Sequence, residues 1–118
     1  MKDIRLESPG NGQSASVLVA DDDRGTVSTL GLILRKKGYR VLEAFDGKEA
    51  LAKVRSESPA VVLLDARMPG MDGFEVCRRI HEDVKLSSVR VIMISAFEEA
   101  NFRRRAFESG ALDYIGKP

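Results

Sequence analysis

Short apolar runs alternate with longer amphipathic stretches along most of this chain. The apolar runs start roughly 20 to 30 residues apart, which is the spacing that repeated strand-helix-strand units require. Four of these runs are followed directly by polar residues that are suited to phosphate chemistry. They are residues 17–20 before Asp21 and Asp22, 61–64 before Asp65, 91–94 before Ser95, and 114–116 before Lys117.

The pattern predicts an α/β fold, a doubly wound parallel sheet of five strands with helices on both faces. The predicted strands are residues 17–20, 40–45, 61–64, 91–94 and 113–115. Helices are predicted over residues 24–37, from an N-cap at Asp46 to Ser58, over 73–83 and over 98–109. Their inward-facing positions are predicted to be Val27, Leu30, Ile33 and Leu34; Ala50, Leu51 and Val54; Phe74, Cys77 and Ile80; and Phe102 and Ala106.

Length and composition predict one ordinary globular domain. The chain has 118 residues and a net charge of +1, so bulk charge attracts it to neither nucleic acid nor an anionic membrane. Residues 1–16 are polar and rich in turn formers, and we expect them to be a flexible leader before a domain over residues 17–118. The single cysteine, Cys77, excludes an internal disulfide. With no apolar stretch of membrane-spanning length, we expect a cytoplasmic protein without membrane association.

Three carboxylates follow two of the predicted strands. Because the carboxyl ends of parallel strands share one edge of a sheet, Asp21, Asp22 and Asp65 should lie close together there. Carboxylates about 4 Å apart repel by about 4 kcal/mol at an effective dielectric of 20, so such a cluster favours a cation. Oxygen ligands with room for water and a phosphate oxygen favour Mg²⁺. The simpler alternative is that Asp22 or Asp23 only caps the following helix.

The remaining polar residues at this edge fit phosphoryl transfer. A carboxylate beside Mg²⁺ can attack a phosphoryl group and form an acyl phosphate, which makes Asp65 the candidate nucleophile. Ser95 can donate a hydrogen bond to a phosphoryl oxygen, and Lys117 can donate a charge-assisted one. Taken singly, each is more often an ordinary strand-end serine or a surface lysine, and the prediction rests on their joint position.

These motifs resemble the receiver domains of bacterial two-component response regulators. Residues 17–23 are similar to the first strand and acidic pair of that family, and residues 63–73 to its phosphoacceptor motif. Residues 94–96 match its switch Ser/Thr, and residues 114–118 match its switch aromatic and Lys-Pro ending. The resemblance extends over residues 17–118 and implies a flavodoxin-like sheet with strand order 2-1-3-4-5.

The resemblance also implies a function and a role for each residue. Asp65 would accept a phosphoryl group from a sensor histidine kinase or phosphotransfer protein. Asp22, Asp65 and the backbone carbonyl of Arg67 would bind Mg²⁺ directly, with Asp21 acting mostly through water. Lys117 would hold the phosphate, and Ser95 and Tyr114 would be the switch residues that alter an output domain or partner. Such a domain is a switch that assists its own phosphorylation and dephosphorylation rather than a metabolic enzyme.

One departure and several alternatives qualify this interpretation. The fifth helix of the family is absent after Pro118, which indicates either a piece of a longer protein or a homodimer that covers the sheet.

A haloacid-dehalogenase-like phosphatase would need a second aspartate where Arg67 stands, and a flavodoxin-type FMN binder would need a phosphate loop where the acidic residues 21–23 lie. A degenerate receiver that binds partners without phosphorylation is the fourth possibility. The arginines at 103–105 are expected to be a solvated helix face rather than a nucleic-acid site.

Overall fold

The computed structural model describes residues 15–95 and 101–116, which form an α/β domain. The five strands are β1 (Ser16–Ala20), β2 (Arg40–Ala44), β3 (Val61–Asp65), β4 (Arg90–Ser95) and β5 (Asp113–Gly116). The four helices are α1 (Arg24–Lys36), α2 (Gly47–Glu57), α3 (Gly73–Glu82) and α4 (Phe102–Glu108), and a 3-10 turn, Val84–Leu86, follows α3. Within the described residues no helix has the length and hydropathy needed to cross a bilayer.

The sheet is wholly parallel, with strand order β2-β1-β3-β4-β5. This is the predicted flavodoxin-like order, so the predicted fold class is confirmed, and the described residues end at β5 without a fifth helix. The register aligns Asp65 with Ile94 and Ser95 with Gly116. The polar residues at the carboxyl ends of β3 and β4 therefore lie side by side.

Helices cover both faces of the sheet. On one face, Leu18, Val62 and Leu64 belong to a buried cluster that includes residues of α2, α3 and α4. On the other face, neighbouring strand positions such as Val19 and Leu63 pack with Val27 of α1. Because successive strand residues point to opposite faces, the central strands are apolar at nearly every position.

Three helices begin at an aspartate that accepts a backbone hydrogen bond. Asp46 accepts from the N–H of Glu49, as predicted for α2, and Asp72 accepts from the N–H of Glu75 at the start of α3. Asp23 accepts from the N–H of Gly25 and caps α1. The capping role considered for Asp22 or Asp23 therefore belongs to Asp23.

The buried faces of two helices differ from the prediction. Ile33 is 45% exposed, because α1 meets the sheet through the buried Gly31, and Ile33 lies about 200° around the helix from that glycine. Phe74 packs against the core as predicted but is only partly buried, and Val76, which was not predicted, is buried with Cys77 and Ile80. Helix α4 begins at Phe102 with Asn101 as its N-cap. The predicted start at Glu98 lies among residues 96–100, outside the described part.

Candidate functional site

Three carboxylates meet where β1 and β3 end. Each of Asp21, Asp22 and Asp65 offers one carboxylate oxygen, and these oxygens all lie within 4.8 Å of one another. Asp21 is fully buried, Asp65 is 5% exposed, and Asp22 is exposed to solvent. The predicted meeting of the three carboxylates is confirmed, and it forms an acidic cluster that can bind a metal ion.

Backbone hydrogen bonds fix the two buried carboxylates. Oδ1 of Asp21 accepts a hydrogen bond from the N–H of Asp23 at 2.9 Å, and the N–H of Asp21 donates to the carbonyl of Ala44 at 3.1 Å. The N–H of Arg67 donates a longer bond, at 3.4 Å, to Oδ1 of Asp65. The loop after Asp65 is joined to β4 because the N–H of Ala66 donates to the carbonyl of Ile94 at 2.9 Å.

Close packing of α3 also fixes the position of Asp65. The N–H of Gly73 donates to the carbonyl of Ala66 at 3.0 Å. A Cβ atom placed on Gly73 would lie 2.1 Å from the carbonyl oxygen of Asp65. Only glycine allows the start of α3 to approach the phosphoacceptor candidate this closely.

An open cleft adjoins the cluster at the carboxyl edge of the sheet. It has a volume of about 490 Å³ and includes Asp22, Arg67 and Ser95 among its lining residues. Ser95 is 5% exposed and lies beside Gly116 in the strand register. Lys117 lies outside the described residues, so its predicted role stays a prediction.

The cleft continues between α3 and α4, which the sequence interpretation did not anticipate. Phe74 of α3 and Phe102 and Arg105 of α4 line this part, and the guanidinium carbon of Arg105 lies 4.0 Å from the centre of the Phe74 ring. Arg105 was interpreted only as part of a solvated arginine run. Its exposure agrees with that interpretation, but no sequence signal indicates which ring it contacts.

An aromatic cluster connects this part of the cleft to Tyr114, the switch candidate on β5. We define this aromatic cluster as Phe74, Phe102, Phe107 and Tyr114. Phe102 makes edge-to-face contacts with Phe74 at 6.0 Å and with Tyr114 at 5.7 Å between ring centres. Phe107 makes a further edge-to-face contact with Tyr114, at 6.1 Å between ring centres. Tyr114 is aligned with Met93, two residues before Ser95, so the strand pairing links the ring to the site.

Comparisons with known proteins agree on one family. A family model described as the response regulator receiver domain matches residues 17–118. Response regulator PleD of Caulobacter vibrioides is 41% identical over 105 residues, which are 89% of this chain. Protein PilH of Pseudomonas aeruginosa is 35% identical over 88% of this chain and 86% of its own length. The chain spans only 23% of the length of PleD.

Solved structures give the same result. The CheX-CheY-BeF3-Mg+2 complex from Borrelia burgdorferi matches with a TM-score of 0.83 at 35% identity, over 92% of this chain and 81% of that one. The N-terminal domain of a response regulator receiver protein from Methanoculleus marisnigri matches with a TM-score of 0.78 at 36% identity, over 87% of this chain and 84% of that one.

Proposed function

Because the chain belongs to the family of response regulator receiver domains, we propose that it is a phosphorylation-dependent switch of a two-component phosphorelay. In this proposal Asp65 accepts a phosphoryl group from a sensor histidine kinase or a phosphotransfer protein. The observation that carries the proposal is the joint placement of Asp21, Asp22 and Asp65 beside Ser95 at one edge of the sheet. A single aspartate at a strand end would not support the proposal.

The donor set of the cluster fits Mg²⁺. Carboxylates are hard oxygen ligands, and the exposed side of the cluster leaves space for water and for a phosphoryl oxygen. In the proposal, Asp22, Asp65 and the backbone carbonyl of Arg67 bind the ion directly, and Asp21 acts mostly through water. When bound, Mg²⁺ supplies positive charge that offsets the carboxylates and the incoming phosphoryl oxygens.

The proposed reaction is a transfer between two protein side chains. A carboxylate oxygen of Asp65 attacks the phosphorus of a phosphohistidine, the phosphorus–nitrogen bond breaks, and the released imidazole nitrogen takes a proton. The hydroxyl of Ser95 donates a hydrogen bond to a phosphoryl oxygen of the product, and Lys117 donates a charge-assisted one. Water later hydrolyses the acyl phosphate. The domain thus promotes its own phosphorylation and dephosphorylation and turns over no metabolite.

Phosphorylation would act through Ser95 and Tyr114. If Ser95 turns toward the new phosphoryl group, the space beside it changes and Tyr114 can move inward, which alters the surface formed by α4 and β5. This surface would contact an output domain, a partner protein or a second copy of the chain. We assign no direct nucleic-acid binding to this domain. The cytoplasm is the proposed compartment, because one buried cysteine suits a reducing environment.

The proposal is tested by intact mass after incubation with acetyl phosphate. We expect the mass of one phosphoryl group to be added in the presence of Mg²⁺ and to be absent with a chelator. Asp65→Asn should remain unmodified. Asp83→Asn is the matched control, because Asp83 caps the 3-10 turn away from the cluster and asparagine caps equally well. Equal modification of Asp65→Asn and the wild type would contradict the proposal.

A further inference from the structure

One arginine of α4 makes two contacts with the switch candidate on β5. Nε of Arg103 donates a hydrogen bond of 2.9 Å to the hydroxyl oxygen of Tyr114. The guanidinium carbon of the same side chain lies 5.1 Å from the centre of the tyrosine ring. The residues are 11 positions apart in the sequence and belong to different elements.

Two aromatic rings of α4 also restrict the position of Tyr114. Phe102 and Phe107, both on α4, contact its ring edge to face. Phe102 is 4% exposed and is fixed in the core, whereas Phe107 and Arg103 are exposed. The hydroxyl of Tyr114 is therefore directed to the outer side of α4, where it meets Arg103.

We propose that Arg103 is a positioning residue that holds Tyr114 against α4 in the unphosphorylated domain and thereby opposes the switch. This inference rests on the proposed function, in which Tyr114 moves inward after Asp65 is phosphorylated. A tyrosine that moves inward loses the hydrogen bond to Nε and the contact with the guanidinium group. The two contacts between Arg103 and Tyr114 therefore stabilise only the resting state. They lower the population of the activated state.

The size of the effect follows from the type of contact. A cation–π contact at an exposed site and a hydrogen bond to a charged donor are each weak in water, and together they correspond to a change of about threefold to tenfold in an equilibrium constant. A ligand that binds only the activated state has an apparent affinity proportional to the population of that state. Removal of Arg103 should therefore increase this affinity by about threefold to tenfold.

Arg104 provides a matched control on the same helix. Its side chain is exposed, and it forms an ion pair with Glu108 at 3.7 Å instead of a contact with Tyr114. Arg103→Ala and Arg104→Ala remove the same charge and shorten the same type of side chain. A difference between the two variants therefore reports on the contact with Tyr114 rather than on the charge of α4.

The experiment is a titration with beryllium fluoride in the presence of Mg²⁺, followed by the NMR signals of the aromatic ring at position 114. Beryllium fluoride serves as the probe because it is a stable substitute for the phosphoryl group on a carboxylate. We expect Arg103→Ala to bind about threefold to tenfold more tightly than the wild type, and Arg104→Ala to bind as the wild type does. In a Tyr114→Phe background, which lacks the acceptor hydroxyl, most of the effect of Arg103→Ala should disappear.

Each other outcome has a defined meaning. Equal affinities for Arg103→Ala and Arg104→Ala, or weaker binding by Arg103→Ala alone, would overturn the inference while the proposed function stands. An effect of Arg103→Ala that is fully retained in Tyr114→Phe would also overturn it, because the tyrosine hydroxyl would then not be the group that Arg103 holds. If beryllium fluoride does not bind the folded wild type, the proposed function fails and this inference fails with it.

Discussion

The close approach of α3 to Asp65 makes Gly73→Ala the most informative stability variant. The new Cβ atom would lie 2.1 Å from the carbonyl oxygen of Asp65 and 2.9 Å from Cα of Ala66. Both neighbours are backbone atoms, so no side-chain rotation can relieve the overlap. Either α3 or the loop that follows Asp65 must move.

The geometry sets the expected size of this effect. Overpacking in a closely packed region costs about 1–3 kcal/mol. We expect about 3 kcal/mol here because the overlap is with backbone. For a domain of this size each kcal/mol lowers the melting temperature by about 4–8 °C, so the expected decrease is roughly 12–24 °C. Movement of Asp65 should also slow modification by acetyl phosphate.

The assays are thermal unfolding and urea unfolding, both followed by circular dichroism, with Gly31→Ala as the control. A Cβ atom on Gly31 would meet the end of the flexible Arg35 side chain at 3.2 Å, and alanine is favoured over glycine inside a helix by about 1 kcal/mol. We therefore expect Gly31→Ala to be neutral or stabilising. A Gly73→Ala variant with the unfolding midpoint of the wild type would refute the packing argument.

Two further predictions concern charge. Asp22→Asn should stabilise the metal-free domain by about 1 kcal/mol, because it reduces repulsion in the acidic cluster. It should also decrease the rise in melting temperature that Mg²⁺ produces. An unchanged response to Mg²⁺ would count against Asp22 as a ligand. Burial raises the pKa of the Cys77 thiol from 9.0 to about 12. The unfolded chain therefore loses this proton first, so the stability that the buried thiol contributes is complete below pH 9.0 and is lost as the pH rises toward about 12. Urea unfolding at increasing pH should show a smaller alkaline decrease in Cys77→Ala, and an identical decrease would contradict this assignment.

The architecture and most of the site could be predicted from the sequence because both depend on strand ends. Apolar runs such as residues 61–64 define strands regardless of their partners, and parallel pairing then places their carboxyl ends together. The family assignment from these motifs is confirmed by the match to residues 17–118. The positions of Asp65 and Ser95 followed from the same argument, and the register bears out their proximity.

Contacts between helices could not be predicted in the same way. The apolar period counted Ile33 as inward because it is apolar, whereas glycine gives no apolar signal and α1 packs through the buried Gly31. The hydrogen bond between Arg103 and Tyr114 depends on how α4 lies against β5, and no local pattern encodes that orientation. The predicted roles of Lys117 and of the leader over residues 1–16 stay predictions.

The most direct test of the central claim is to identify the residue that carries the phosphoryl group. Sodium borohydride reduces an acyl phosphate to an alcohol, so a phosphorylated aspartate becomes homoserine. After phosphorylation with Mg²⁺, reduction and proteolysis, mass spectrometry should find homoserine at position 65, and the sample with chelator should contain none. Homoserine at position 21 or 22, or a phosphate ester on Ser95 with Asp65 intact, would contradict the account.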